Sequence, residues 1–302
     1  MSTLKIGQAT RSWEDEVSSG MIDGVSKLRK FGITDSLAAI TESPTDADLT
    51  EVFELASATQ RLYPWDLSDI SGGEVMRYSS ESPSDVGKTM LVYGQLPNST
   101  YPDIGDIEIV EPVTIADTTA GGIALSNNFL HVTRVVIPES LSGSVLIYRG
   151  TALSGASEGW LPPVAETDRR AYVRVGRNQT QQCVYPVPAG KVLMFTRGIV
   201  GIRHGGAVGS ADETASLSFR VMTRGASNAR ILKDTVDLFS SADSSYQSTL
   251  YFPEPVPAGA KVSIAVSTST ATFSYRATAY GYLQDESYFS NEFLASIGQP
   301  GY

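Results

Sequence analysis

The sequence predicts an all-β protein: two tandem antiparallel β-sandwiches, jelly-roll-like, behind an N-terminal extended or helical arm. Three observations carry this prediction. Hydrophobic residues alternate with Ser, Thr and Arg in several short runs, which is the pattern of a strand with one face in water. Turn signals rich in Gly and Pro separate these runs at short spacing. Helical patterns of ~10–15 residues, which parallel βαβ units need, are missing between the runs.

Length and composition agree with a globular protein of about two domains. The chain has 302 residues, of which 41% are hydrophobic, and its net charge is −10. The acidic balance predicts no nucleic-acid partner, because binding to a phosphate backbone needs clustered Lys and Arg. No apolar run approaches the ~18 residues that read as a membrane span, and the N-terminus has no apolar signal core. We therefore expect no membrane partner and synthesis in a cytosol.

Residues 1–66 are the predicted arm. They are polar, acidic in patches and interrupted by several glycines and Pro44. A short helix is predicted from Asp46 to about Thr59, and another helical turn or two within residues 20–30. Neither stretch buries enough apolar surface to fold alone. The arm is therefore expected to pack on its own body or on a neighbouring subunit.

The remaining chain divides into two β-blocks and a tail. Residues 67–165 are predicted to form the first sandwich, with strands in "KTMLVYG", "DIEIVEPVTI", "FLHVTRVVIP" and "GSVLIYRG". Residues 166–285 are predicted to form the second, with strands that begin at "AYVRVG". The Gly- and Pro-rich stretch 154–168 is a candidate linker. The tail, residues 286–302, carries spaced aromatic residues and is expected to dock on another surface.

The five residues "PVPAG" occur twice, at 186–190 and at 255–259, and a strand pattern follows each copy. Proline presets the backbone for a β-turn, and glycine supplies a permissive position. The interpretation is a turn before a strand, with Pro188 at the second turn position and Gly190 closing the turn. A duplicated domain and a ligand-binding loop are the weaker alternatives.

Two segments resemble catalytic or nucleotide-binding motifs but lack the context those motifs need. "GASEG" at 155–159 matches the nucleophile-elbow pattern around Ser157, yet Pro162 and Pro163 oppose the helix that must follow. "SPSDVGKT" at 82–89 ends like a P-loop but begins with Ser82 instead of glycine, and a strand pattern follows it. Neither segment predicts an enzyme.

The residues that commonly form metal or nucleophilic sites are few. His131 and His204 are far apart in sequence, and His131 is predicted to face solvent or to make a structural hydrogen bond. The lone cysteine, Cys183, cannot form an intrachain disulfide and is predicted to be a buried or half-buried side chain. The acidic residues near Asp103 lack the spacing of a calcium loop. We therefore predict no catalytic residue, no metal site and no cofactor.

A set of aromatic residues leaves a second function open. In a β-sandwich most of them are expected in the core or at interfaces, but an exposed row of such rings can bind sugars. A glycan-binding or receptor-binding module is therefore the alternative prediction. The residues concerned are Trp65, Trp160, Tyr246, Tyr251, Tyr275, Tyr280 and Tyr282.

The order of three sequence blocks resembles a class of tailed-bacteriophage virion proteins. The first block combines "KFG" at 30–32 with "PWDLSDISGG" at 64–73, and the last is "YPVPAGKVLMFT" at 185–196. Between them lies "VGKTMLVYGQLPNSTYPDIGDIEIVEPVTI", which "LSNNFLHVTRVVI" follows at 125–137. The resemblance implies a non-enzymatic virion part, an accessory component of tail, collar or capsid surface. It also implies that the chain forms a homo-oligomer and contacts other virion proteins, with a host-surface glycan as a further candidate partner.

Overall fold

The architecture below is that of a computed structural model. It describes residues 5–6, 9–10, 25–34, 50–51, 73–118, 121–153, 168–180, 183–204, 213–222, 230–240, 245–268, 273–299 and 301. In the arm and in much of the chain after residue 201, the description covers the backbone but not every side chain. The fold is all-β and antiparallel, as the sequence predicts.

The described strands and the one α-helix follow each other in this order: β1 (Lys5–Ile6), β2 (Ala9–Thr10), β3 (Val25–Thr34), β4 (Thr50–Glu51), β5 (Met76–Ser80), β6 (Thr89–Gln95), β7 (Ile109–Thr114), β8 (Ile123–Ala124), β9 (His131–Val136), β10 (Val145–Arg149), β11 (Arg169–Val173), β12 (Val184–Pro186), β13 (Lys191–His204), β14 (Glu213–Met222), β15 (Arg230–Ser240), β16 (Ser245–Val256), β17 (Lys261–Thr268), β18 (Phe273–Asp285) and α1 (Asn291–Ser296). Two 3₁₀ turns, Pro83–Asp85 and Glu286–Tyr288, complete them.

The first sandwich consists of the sheets β11-β10-β5-β8 and β7-β6-β9. Its core is a cluster of buried apolar side chains from both sheets, such as Met90 and Val92 on one and Val145 and Ile147 on the other. Met90 and Val92 stand at alternate positions of β6, so both face the same side of their sheet. Tyr78 links the sheets, because its hydroxyl accepts a hydrogen bond from the Ala116 amide at 3.0 Å.

The second sandwich consists of the sheets β12-β17-β14-β15 and β16-β13-β18-β3, with β4 paired to β17. Its strands are long: β13 has 14 residues and β18 has 13, against a usual ~5–6. A register shift between Phe195 and Arg197 interrupts the pairing of β13 with both neighbours. Such bulges raise the local twist, which lets long strands remain in a compact sheet.

The arm contacts its own body through strands instead of helices. Val25–Thr34 pairs with β18 over ten residues, so the helical turns predicted within residues 20–30 are wrong from Val25 onward. Thr50 and Glu51 pair with β17, so the helix predicted from Asp46 to Thr59 is wrong at these two residues. Pairing with the edge of a sheet outweighs weak helix propensity, because it satisfies backbone groups that the edge leaves open.

One strand lies in a different sheet from the one that the sequence indicates. Residues 169–173 were expected to open the second β-block, but β11 pairs with β10 of the first sandwich, for example Leu146 with Tyr172. Ala171 and Val173 accordingly belong to the first core. Residues 154–167 of the candidate linker 154–168 lie outside the described residues. The division into domains at 66, 165 and 285 stays a prediction, and the pairing of β11 favours a later division than residue 166.

A buried carboxylate closes one corner of the first sandwich. Asp85 ends the 3₁₀ turn that follows Ser82, and its side chain is inaccessible to solvent. Its oxygens accept hydrogen bonds from the amides of Ser142 and Gly143 at 2.8 and 3.0 Å and from Lys88 Nζ at 2.6 Å. The segment that ends like a P-loop is therefore a structural corner, and strand β6 follows it as the sequence predicts.

Candidate functional site at the junction of the sandwiches

The two copies of "PVPAG" lie side by side and bond to each other. The Val187 amide donates to the Ala260 carbonyl at 2.9 Å, and the Gly259 amide donates to the Val187 carbonyl at 2.9 Å. This pairing continues the ladder in which Tyr185 of β12 stands opposite Val262 of β17. The two copies of the repeat therefore form two adjacent turns. We call them the twin turns (residues 186–190 and 255–259).

In each twin turn the proline lies one position earlier than the sequence predicts. The Lys191 amide donates to the Pro188 carbonyl at 3.3 Å, so Pro188 is the first turn residue and Gly190 the third. The third position of this turn needs a positive φ, which is +70° at Gly190 and +78° at Gly259. The reading of both copies as a turn before a strand is confirmed, and the assignment of proline to the second position is wrong.

The positive φ at position 190 favours glycine, and a substitution there can test this. We expect Gly190→Ala to lower the free energy of unfolding by about 1–2 kcal/mol, the cost of a side chain in the left-handed region. A Cβ at this position meets nothing within 4 Å, so the backbone alone sets the cost. Gly190→Asn is the matched variant, since asparagine tolerates this region better. Chemical denaturation should show the smaller loss for asparagine, and equal losses would contradict the explanation.

The twin turns also touch the first sandwich. Gln95, which is fully buried at the end of β6, donates from Nε2 to the Pro186 carbonyl at 3.0 Å. The Ala189 amide donates to the Gly105 carbonyl at 2.8 Å. A Cβ on Gly105 would come within 2.0 Å of the Gln95 side chain, so the loop needs glycine for this close approach.

The tail completes the junction from the other side. Gln299 is 2% exposed, and its Oε1 accepts a hydrogen bond from the Ala258 amide at 2.8 Å. Its Nε2 donates to Glu286 Oε2 at 3.1 Å and to the Lys191 carbonyl at 3.4 Å. Helix α1, whose Leu294 is buried, brings Gln299 to this position. The sequence predicted a docked tail, and its docking surface is the twin turns.

We expect Gln299→Ala to release the tail from the twin turns. The buried Ala258 amide would lose its acceptor, and an unsatisfied buried amide costs about 1–3 kcal/mol. Faster hydrogen exchange at the Ala258 amide and faster proteolysis within residues 286–299 would report the release. Ser296→Ala is the control, because this exposed hydroxyl bonds only within α1, to the Phe293 carbonyl. Unchanged exchange at Ala258 would show that Gln299 does not hold the tail.

A cavity of about 360 Å³ lies where the three parts meet. Backbone of the twin turns forms one wall, while Tyr101 and Ile104 come from the loop after β6. Glu286, Gln299 and Gly301 come from the tail. The lining is polar, but the side chains around it bond to one another, as Glu286 does with Gln299. The geometry favours a structural junction over a reaction centre.

A cluster of buried polar side chains lies beside the twin turns. His131 of β9 is 2% exposed, Arg170 of β11 is fully buried, and Lys261 of β17 is 2% exposed. Burial and the charges of Lys261 and Arg170 lower the pKa of His131 to about 3, so the imidazole is neutral in the folded protein. Of the two alternatives for His131, the solvent-facing one is wrong because the side chain is buried, and the structural hydrogen bond stays a prediction. The three residues belong to three different sheets, so their spacing along the chain does not show that they lie close together.

Acidic and aromatic members complete the cluster. Burial raises the pKa of Tyr185, and the charge of Glu108 raises it further, against a hydrogen bond with Gln95. Glu108 also accepts a hydrogen bond from the Thr133 hydroxyl. Separating buried charged groups from one another costs free energy, because each is left without a partner. The cluster therefore opposes any sliding of one sandwich against the other.

The other sequence candidates form no site with these residues or fall outside the described chain. Cys183 is buried, as predicted. "GASEG" at 155–159 falls outside the described residues, as do Trp65 and Trp160, and the side chain of His204 is not described. Within the described ranges, His, Cys, Asp and Glu side chains form no group of three or more suited to a metal ion. In the same ranges, no helix has the length and apolarity to cross a membrane.

Two of the seven aromatic residues have described side chains. Tyr282 is 7% exposed and belongs to the core. Tyr280 is half-buried, and the Arg197 guanidinium lies 4.7 Å from its ring centroid. The side chains of Tyr246, Tyr251 and Tyr275 are not described. The described rings thus give no row of exposed aromatics for a sugar.

Comparison with known proteins gives only distant likenesses. No family model matches the chain, and no curated protein matches it. Among solved structures, the cowpea mosaic virus top component, a naturally occurring empty particle, is 11% identical with a TM-score of 0.21, over 72% of this chain and 85% of that chain. The infectious bursal disease virus Gt strain is 9% identical with a TM-score of 0.23, over 88% and 74% respectively. At such values these likenesses assign neither a family nor a function.

Proposed function

We propose that the chain is a non-enzymatic structural subunit of a virus particle. More narrowly, we propose an accessory component of the tail, collar or capsid surface of a tailed bacteriophage. The observation that carries the proposal is the order of three sequence blocks that resemble such proteins. Each block contributes to the β framework: Lys30–Gly32 lies in β3, residues 86–115 span β6 and β7, and residues 185–196 span β12 and β13.

The junction supports this proposal on physical grounds. A structural subunit must keep its parts in one arrangement when neighbouring subunits exert force on it. The Gln95 and Ala189 hydrogen bonds, the twin turns and the Gln299 contacts join both sandwiches and the tail at one place. The buried cluster around Arg170 adds to this, because separating one of its charged groups from the others would be strongly destabilising.

Purified particles would test the proposal. Antibodies raised against the folded chain should label intact virions at regular positions in electron micrographs, and the isolated chain should form a symmetric oligomer. Light scattering after size exclusion measures the oligomer directly. A chain that stays monomeric at every concentration, with no labelling of particles, would reject the structural role.

A further inference from the structure

The buried cluster beside the twin turns takes its members from both sandwiches. His131 and Arg170 belong to β9 and β11 of the first sandwich, whereas Tyr185 and Lys261 belong to β12 and β17 of the second. All four residues are at most 4% exposed. The charge of Lys261 acts on His131, so these two side chains lie close to each other across the junction.

Polar groups make the described hydrogen bonds that join the sandwiches beside this cluster. Gln95, which stands opposite His131 in the pairing of β6 with β9, donates to the Pro186 carbonyl at 3.0 Å. The Ala189 amide donates to the Gly105 carbonyl at 2.8 Å. The apolar core of the first sandwich, in contrast, is built only from side chains of its own strands and loops. Polar interfaces between domains permit relative motion more readily than apolar cores do, so the junction can open while this core stays folded.

The neutral imidazole of His131 makes such an opening sensitive to acid. Burial, with the charges of Lys261 and Arg170, lowers the pKa of His131 to about 3 from the ordinary 6.5. In an open junction water reaches the imidazole and Lys261 moves away, so the pKa returns toward its ordinary value. Between pH 6.5 and 3 the open form therefore binds a proton that the closed form does not, and each fall in pH favours the open form.

The other ionisable groups of the cluster do not replace His131 in this role. The guanidinium of Arg170 and the ammonium of Lys261 both oppose a proton on His131. Burial, and then the charge of Glu108, raises the pKa of Tyr185, so its phenol keeps its proton in acid. Glu108 is the one carboxylate that these interactions bring to the cluster, and its contribution can be tested separately.

We propose that the junction is an acid-sensitive contact: in mild acid the two sandwiches separate at the buried cluster, while the strands within each sandwich stay paired. The contact closes again at neutral pH. The inference does not depend on the proposed structural role. It predicts a change in the arrangement of the two sandwiches at a pH at which neither has unfolded.

Hydrogen exchange of two neighbouring amides in the full chain tests the proposal. The Ala189 amide bonds across the junction to Gly105, whereas the Val187 amide bonds to Ala260 within its own sandwich. After correction for the intrinsic pH dependence of exchange, protection of the Ala189 amide should fall about tenfold per pH unit between pH 5.5 and 4.5, the effect of one proton. The Val187 amide should keep its protection, and a return to pH 7 should restore that of Ala189.

Two variants assign the effect to His131. His131→Gln should make the protection of the Ala189 amide independent of pH, because glutamine does not titrate. Glu108→Gln is the matched control and should leave the pH dependence in place. A pH dependence that survives in His131→Gln, or that disappears in Glu108→Gln, would overturn the assignment to His131.

The two amides of the unsubstituted chain decide the proposal even if His131→Gln does not fold. Loss of protection at Ala189 alone supports an opening of the junction. Equal loss at Ala189 and Val187 would mean that the second sandwich itself unfolds, and it would overturn the proposal. Constant protection at Ala189 down to pH 4.5 would overturn it as well.

Discussion

Replacement of Asp85 by alanine should lower the free energy of unfolding by about 2–4 kcal/mol. The carboxylate is inaccessible to solvent and accepts hydrogen bonds from the Ser142 and Gly143 amides. Its loss would leave both amides without this acceptor and Lys88 without its ion-pair partner. Urea denaturation should show a lower midpoint with an unchanged slope, the sign of a change in stability alone.

Glu139→Ala is the matched control for Asp85→Ala. Glu139 also accepts a backbone hydrogen bond, from the Thr89 amide at 3.1 Å, but it is exposed. Water can replace this acceptor, so the expected loss is within about 0.5 kcal/mol. Equal losses for the two variants would show that burial of Asp85 is not what makes it important.

The second large effect is a loss of stability on acidification. The pKa of His131 is about 3 in the folded protein and 6.5 ordinarily. Between these pH values the unfolded chain binds a proton at His131 and the folded chain does not. The stabilisation is complete above pH 6.5 and is lost as the pH falls from there toward 3. The slope approaches about 1.4 kcal/mol per pH unit for one proton. Denaturation midpoints between pH 7 and 4.5 would measure it.

His131→Gln should flatten that slope, because glutamine does not titrate. His204→Gln is the control, since it removes the other histidine of the chain. The Asp85 carboxylate affects stability in a different pH range. Burial raises its pKa, but bonds from Lys88, Ser142 and Gly143 together lower it below 3.8, so its contribution is lost only below that pH. A slope that survives in His131→Gln but vanishes in His204→Gln would contradict the assignment.

Sequence patterns predicted the features of the fold that depend on local chemistry. Alternation located strands because period two is a property of each strand by itself, as in Leu217, Phe219 and Val221 of β14. The turns at "PVPAG" were predictable because glycine alone takes the required φ at low cost. The lone Cys183 was assigned a buried position from its residue type.

Features that depend on pairing between distant segments could not be predicted. Nothing in "PVPAG" indicates that one copy will hydrogen-bond to the other, because the pairing follows from β12 lying beside β17. The residues next to His131 in the sequence, Leu130 and Val132, do not reveal that burial, together with the charges of Lys261 and Arg170, lowers its pKa and keeps it neutral. The β3 segment contains Gly32 and three basic residues, and the open edge of β18 makes it a strand.

The position of β3 has a consequence for how the chain is made. Its partner β18 is among the last strands to leave the ribosome. At roughly 5–20 residues per second, synthesis from Thr34 to Phe273 takes on the order of 10–50 s. The first sandwich can fold during that interval, but β3 must wait for its own β18.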